Sequence, residues 1–422
     1  GNLGVIRSYN KGDYAGAKPY YEEALPIFYE VDEKGLWAWC LTARSIVSMV
    51  RGHYSQAIAD CEQALCTSRE IGNRYWQCRA LNTLGQIYLT QDDCVRAKDY
   101  HEQALKLARE REAKPDESGS LKNLGDICKI QGDYAGARAY YEKALQICRD
   151  LSNPKTETEL LHKLIDLFLS EGDYAQAQGY CDEALRLSRE LGYFMGEYET
   201  LMNLGCLRLV QGDYSGAKDY YDQAMDICRK FENWGGECKT LLAMGLLSHN
   251  LGDDETARQY LEEALQLTRK LGDFRPEGEA LNYLGQALVG LGNLPEAITA
   301  YQQSLTRCRE FGQPHQAMAS LAGLAWVAFT QGNLAQVQEH VEEILDNLDT
   351  RVLNLLEPFR VYLICYRILQ ANHDHRAPKI LATAHQLLQE RAAKISDEEL
   401  RRSFLEKVVV HRETVSAFET GE

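Results

Sequence analysis

The sequence predicts an all-α solenoid, a stack of helical hairpins. Three observations predict it. A turn residue recurs every 40 residues, at Gly12, Gly52, Asp92, Gly132, Gly172, Gly212, Gly252, Gly292 and Gly332. Alanine follows five residues later, from Ala17 to Ala297, with Val337 as the exception. A small residue and a leucine come next, as in Ala24-Leu25, Ala64-Leu65 and Ala144-Leu145. Nine units at a fixed period without an internal insertion are the mark of a repeat architecture.

Each unit reads as two helices. In the chain's first unit, Asn2-Leu3-Gly4 matches the middle of a first helix. The chain is therefore expected to begin within a repeat of a longer protein. Later first helices carry Leu-x-x-Leu-Gly, as in Leu121-Leu124-Gly125 and Leu201-Leu204-Gly205. Such a glycine costs about 1 kcal/mol in helix propensity, a cost offset if a neighbouring helix approaches closely there. Gly132 suits the left-handed residue that ends the first helix, and Asp133 suits the N-cap of the second. Asn293 and Asn333 are expected to cap likewise. Ala137, Tyr141, Ala144 and Leu145 then fall on one helical face. Tyr141, Tyr221 and Tyr301 share a position with Cys61, His101, Cys181 and Leu261, which marks a core slot rather than a chemical site. Tyr100, Tyr140, Tyr180, Tyr220 and Tyr260 are expected to pack against the next unit.

Residues 1–350 form these hairpins, and residues 351–422 are a second region. There, 357–371 and 377–395 read as a degenerate tenth hairpin. Ser396-Asp397-Glu398-Glu399 reads as a capping box opening a last helix over 397–418. Leu400, Phe404, Val408 and Val415 would let it cover the end of the stack.

Composition limits the function classes. Of 422 residues 45% are hydrophobic and 26% charged, ample for a soluble core. No apolar run approaches the length of a membrane span, and a cytoplasmic location is expected. The net charge is −16, and the first 350 residues hold 52 acidic against 35 basic side chains. That surface repels phosphate, so no nucleic-acid contact is expected. The thirteen cysteines follow the repeat: Cys148, Cys228 and Cys308 alternate with Ala108, Ser188 and Thr268. Positions that accept Cys, Ala, Ser or Thr want a small side chain, so reduced structural thiols are expected. Phosphate-binding, serine-hydrolase and His-Glu-x-x-His motifs are absent. The chain is read as no enzyme, with neither cofactor nor metal. His373-Asp374-His375 is the best metal candidate and reads as a polar turn.

The spacing of Leu201, Leu204, Gly205, Ala217, Tyr221 and Ala224 resembles the tetratricopeptide repeat, in a 40-residue form. The tail EELRRSFLEKVVVHRETV is similar to those of bacterial STAND-type signal-transduction ATPases and related transcription regulators. The resemblance implies a right-handed superhelix whose first helices line a concave groove. Mapped onto this chain, the groove residues are Asn82, Lys122, Asn123, Asp126, Lys129, His162, Lys163, Asn203, Lys239, His249, Asn282, Tyr283 and Trp326. Asp166, Glu199, Met202, Cys206, Gln286 and Phe329 map to the same face. Asparagines there can bond both polar groups of an extended peptide backbone. The expected partner is a protein or peptide in the groove. The expected role is the ligand-sensing arm of a larger regulator, joined to upstream domains. The alternative is a constitutive adaptor.

Overall fold

The computed structural model describes residues 13–346, 348 and 355–420. Gly12 and the Asn2-Leu3-Gly4 segment lie outside the described residues. Ten helices are second helices of hairpins: α1 (Tyr14–Glu30), α3 (Tyr54–Glu70), α5 (Cys94–Glu110), α7 (Tyr134–Asp150), α9 (Tyr174–Glu190), α11 (Tyr214–Lys230), α13 (Asp254–Leu271), α15 (Leu294–Glu310), α17 (Leu334–Leu345) and α19 (Ala377–Ala393). Their first helices are α2 (Lys34–Val50), α4 (Arg74–Thr90), α6 (Lys114–Ile130), α8 (Pro154–Glu171), α10 (Phe194–Val210), α12 (Trp234–Asn250), α14 (Glu277–Gly290), α16 (Pro314–Thr330) and α18 (Pro358–Ala371). Helices α20 (Glu398–Glu406) and α21 (Val409–Thr420) end the chain's described part. No strand occurs among the described residues. The architecture is an all-α solenoid.

The chain turns twice per unit. Turns within hairpins close on left-handed Gly52, Gly132, Gly172, Gly212, Gly252, Gly292 and Gly332, with Asp92 at φ 61°. The connections between hairpins close the same way, on Asp32, Gly72, Glu112, Ser152, Gly192, Glu232, Gly272 and Gly312. Asp13, Asp93, Asp133, Asp173, Asp213, Asp253 and Asn333 cap the helices that follow, each accepting from a backbone N–H. Asn293 departs from expectation and makes no such bond.

The first-helix glycine faces the core slot of the second helix. A Cβ at Gly125, Gly205 or Gly285 would run into Tyr141, Tyr221 or Tyr301, and one at Gly245 would lie 2.6 Å from Leu261. Where the slot holds cysteine, the facing position is larger. Ser45 lies 2.9 Å from Cys61, and Ile165 stands opposite the Cys181 slot. The Tyr141 hydroxyl does not end at the outer surface; it donates to Asp126 Oδ1 (2.7 Å). All thirteen cysteines are free thiols. Burial pushes Cys61, Cys228, Cys308 and Cys365 up to about 12, which keeps them protonated and unreactive.

The solenoid closes on itself. Phe311, in the connection before α16, lies against Gly52, and a Cβ at Gly312 would strike the Thr90 carbonyl. Arg275 reaches the Tyr14 hydroxyl (3.4 Å) and covers its ring. The tail extends this edge contact. Arg391 donates to the Ser170 carbonyl (3.0 Å) and Lys394 to that of Glu171 (2.8 Å).

Where one last helix was expected over 397–418, there are two. Asp397, not Ser396, is the N-cap, accepting from Glu399 and Leu400. The break after Glu406 lets His411 Nδ1 bond the Phe404 carbonyl (2.8 Å) while its ring packs on Phe404 and Phe359. Phe404 is buried beside Tyr174. The tail thus docks on the turns of the α8–α9 and α10–α11 hairpins.

Candidate functional site

Closure converts the expected open groove into a lumen. The first helices, with their rows of inward polar residues, form its walls. One chamber of about 510 Å³ lies between α6, α8 and α10 on one side and α14, α16 and α18 on the other. A second, of about 550 Å³, lies between α2 to α8 and the segment Phe311–His315. Lys129, Asp166 and His315 border both chambers. Each volume falls within the roughly 300–1,000 Å³ typical of small-ligand sites.

The wall around the second chamber carries a charge network. Lys163 Nζ lies 3.1 Å from Asp126 Oδ1, which also accepts from Tyr141. Burial would raise the Asp126 carboxyl, but Lys163 and the Tyr141 hydroxyl outweigh it and hold the carboxyl low. Asp126 in turn holds the Lys163 ammonium high.

Several predicted residues bond within the wall itself. Asn82 Nδ2 donates to Ser120 Oγ (3.1 Å), and Asn82 Oδ1 accepts from Asn123 Nδ2 (3.3 Å) and faces His101 Nδ1 (2.9 Å). Both polar ends of Asn82 are thus already engaged. His162 bonds Thr200 Oγ1 (2.8 Å) and faces Glu199 (2.9 Å). His249 bonds Asp254 (2.5 Å). Lys122 approaches Glu159 at 4.0 Å. Lys239 is exposed and Asn203 half-buried. Trp326 packs on Phe329 beneath Arg367, outside both chamber linings. Asp126, Lys129 and Lys163 line the second chamber, and Lys129, Asn282 and Tyr283 the first.

The first chamber also holds residues that the sequence reading missed. Glu279 accepts from the Tyr283 hydroxyl (2.8 Å) and has no counter-ion within ion-pair distance among the described residues. Burial raises its carboxyl, with Tyr283 and Lys239 opposing. Its signal was in the sequence: it repeats the position of Glu199 and Lys239. Glu357, Arg360, Gln316 and Arg391 enter through closure, and no periodicity marks them. At the His373-Asp374-His375 turn, Asp374 pairs with Arg376 (2.8 Å), which also holds Glu342 (2.6 Å). No group of three His, Cys, Asp or Glu side chains among the described residues is placed to hold a metal ion. No helix of the described residues is long and apolar enough to cross a membrane.

Comparison with known proteins agrees with the helical-repeat fold. The family profile described as MalT-like TPR region matches residues 38–234. The profile described as Tetratricopeptide repeat matches 236–310 and 276–350. No curated protein matches the chain. Among solved structures, a Rap protein complexed with Competence and Sporulation Factor is similar at TM-score 0.54 and 13% identity, covering 92% of this chain and 100% of that one. Aspartyl phosphate phosphatase F from Bacillus subtilis is similar at TM-score 0.54 and 12% identity, covering 82% and 92%. A signal transduction ATPase with numerous domains and a tetratricopeptide repeat sensor, from Pyrococcus horikoshii, has TM-score 0.49 and 14% identity, covering 86% and 57%. At these identities the two likenesses at TM-score 0.54 show the fold alone.

Proposed function

Because the chain belongs to the tetratricopeptide-repeat family, we propose that it is a non-catalytic recognition module taking a peptide-sized ligand inside its lumen. It serves as the ligand-sensing arm of a larger signalling or transcription regulator. One observation carries the reading: the first chamber is walled by hairpins far apart in sequence that meet only through closure. A ligand touching both walls binds the closed form more tightly than an opened one. That differential affinity is what a sensor needs to shift an equilibrium. The Rap protein of similar fold was solved with a bound factor, which supports a ligand-binding use of this architecture.

The test is affinity selection. The chain is incubated with a random tetrapeptide pool, and retained peptides are identified by mass spectrometry. Retention that falls in Lys129→Ala and Lys163→Ala, and that raises the melting temperature, is expected. No retained peptide, or retention indifferent to both substitutions, sinks the reading.

The adaptor alternative has one observation in its favour. Val31, Ile71, Leu151, Leu191 and Phe231 share one repeat position and remain exposed along one edge. Their equivalent Phe311 is buried in the closure. A protein partner captured through Phe231 and Leu191, with no effect of lumen substitutions, would favour the adaptor.

A further inference from the structure

The first chamber is unevenly supplied with hydrogen-bonding groups. Asn282 Oδ1, Gln286 Oε1, Gln316 Oε1 and Glu357 Oε2 are buried oxygens without a hydrogen-bond partner among the described residues. All four residues line this chamber. Asn282 is 6% exposed and Gln286 4%. Buried polar atoms are normally paired, and several orphans around one cavity call for donors from outside the chain. Amide side chains can be turned over, so three of these residues offer either sign. The carboxylates cannot: Glu279 and Glu357 only accept when ionised.

The cations of the chamber do not answer them. Arg391 is held by the Ser170 carbonyl and the Phe359 ring. Arg360 turns toward His249 Nε2 (3.4 Å) and the Tyr301 hydroxyl. Lys129 stands on the opposite wall, on α6, and its ammonium makes no ion pair or hydrogen bond among the described residues. The chamber thus offers Glu279 and Glu357 at one wall and the free ammonium of Lys129 at the other, which also carries Asp166. Between them, Asn282, Gln286 and Gln316 present amides that match both polar groups of a peptide backbone.

We propose that the first chamber reads the free amino terminus of a short peptide. The terminal ammonium is held by Glu279 and Glu357, the backbone by Asn282, Gln286 and Gln316, and a carboxylate of the ligand by Lys129. This rests on the lumen reading above and goes beyond it by naming the ligand's chemistry. A carboxylate-seeking site would place its unpaired charge the other way.

The test uses the full chain and three versions of the tetrapeptide pool: free termini, N-acetylated, and C-amidated. Charge-assisted hydrogen bonds contribute enough that removing the ammonium weakens retention about tenfold or more. Acetylation is expected to abolish most retention, and amidation to reduce it. In Glu279→Gln/Glu357→Gln, whose helix content is checked by circular dichroism, the preference for a free amino terminus is lost. In Lys129→Met the preference for a free carboxylate is lost. Equal retention of free and acetylated pools by the unaltered chain overturns the proposal while leaving the lumen reading intact. Retention of no pool at all overturns both.

Discussion

At the scale of single residues, the core is set by a sum of two side chains. Glycine faces tyrosine at Gly125–Tyr141, Gly205–Tyr221 and Gly285–Tyr301, whereas Ile165 faces Cys181 and Ala325 faces Val341. Dense interiors fix the volume, not the identity. Gly205→Ala therefore forces a methyl into the Tyr221 ring. It is expected to destabilise by about 1–3 kcal/mol in urea unfolding. Gly205→Ile combined with Tyr221→Cys reproduces the Ile165–Cys181 pair and is expected to recover most of that loss. A double variant no better than Gly205→Ala alone would refute the pairing. His101 occupies the same slot with a titratable ring. Burial lowers it to about 4, and its Nε2 has no hydrogen-bond partner among the described residues. The unfolded ring takes its proton near 6.5. Between those values the unfolded state binds more protons. Stability is thus complete above about pH 6.5 and falls toward pH 4, by up to about 1.4 kcal/mol per pH unit. In His101→Tyr, thermal melts across this range are expected to show a shallower decline than the unaltered chain.

At the scale of elements, legibility followed chemistry. Hairpin turns were readable because glycine holds the left-handed residue in nearly every unit, and aspartate caps the next helix. The connections between hairpins have the same geometry, yet Asp32, Glu112, Ser152 and Glu232 occupy the left-handed position there. Residues that seldom adopt positive φ hid four of these eight connections. The last helix was misread for a different reason. Leu400, Phe404, Val408 and Val415 satisfy a continuous helical face, and only the tertiary fit of Phe404 beside Tyr174 and His411 breaks it. The site divides in the same way. Lys129, Asn282 and Tyr283 were legible as inward positions of first helices. Glu357, Gln316 and Arg391 were not, because closure brings them together and leaves no trace in the repeat. The asparagines' facing direction follows from helix geometry, whereas the partners that engage Asn82, His101 of its own hairpin and Ser120 and Asn123 of the next, are set by packing.

At the scale of the molecule, the lumen exists only while the edges meet. Gly312 has φ 61° and no room for a Cβ against the Thr90 carbonyl. Gly312→Ala is expected to part the edges without unwinding helices. Small-angle scattering should give a larger radius of gyration at unchanged far-ultraviolet circular dichroism, and amide exchange near Thr90 should quicken. An unchanged radius would mean that the edge contact does not hold the lumen shut.

Edge closure also makes the chain count. In an open stack each repeat contacts only its neighbours, so a unit is added or lost at the cost of one interface. Here Arg275 meets Tyr14 across 261 positions and Arg391 meets Ser170 across 221. Deleting one internal 40-residue unit would keep every local contact type yet shift all later turns one place along the edge. Phe311 would no longer arrive at Gly52, nor Arg391 at the turn after α8. Repeat number, normally the freest variable of such an array, is here a fixed dimension, much as tooth number is in a gear.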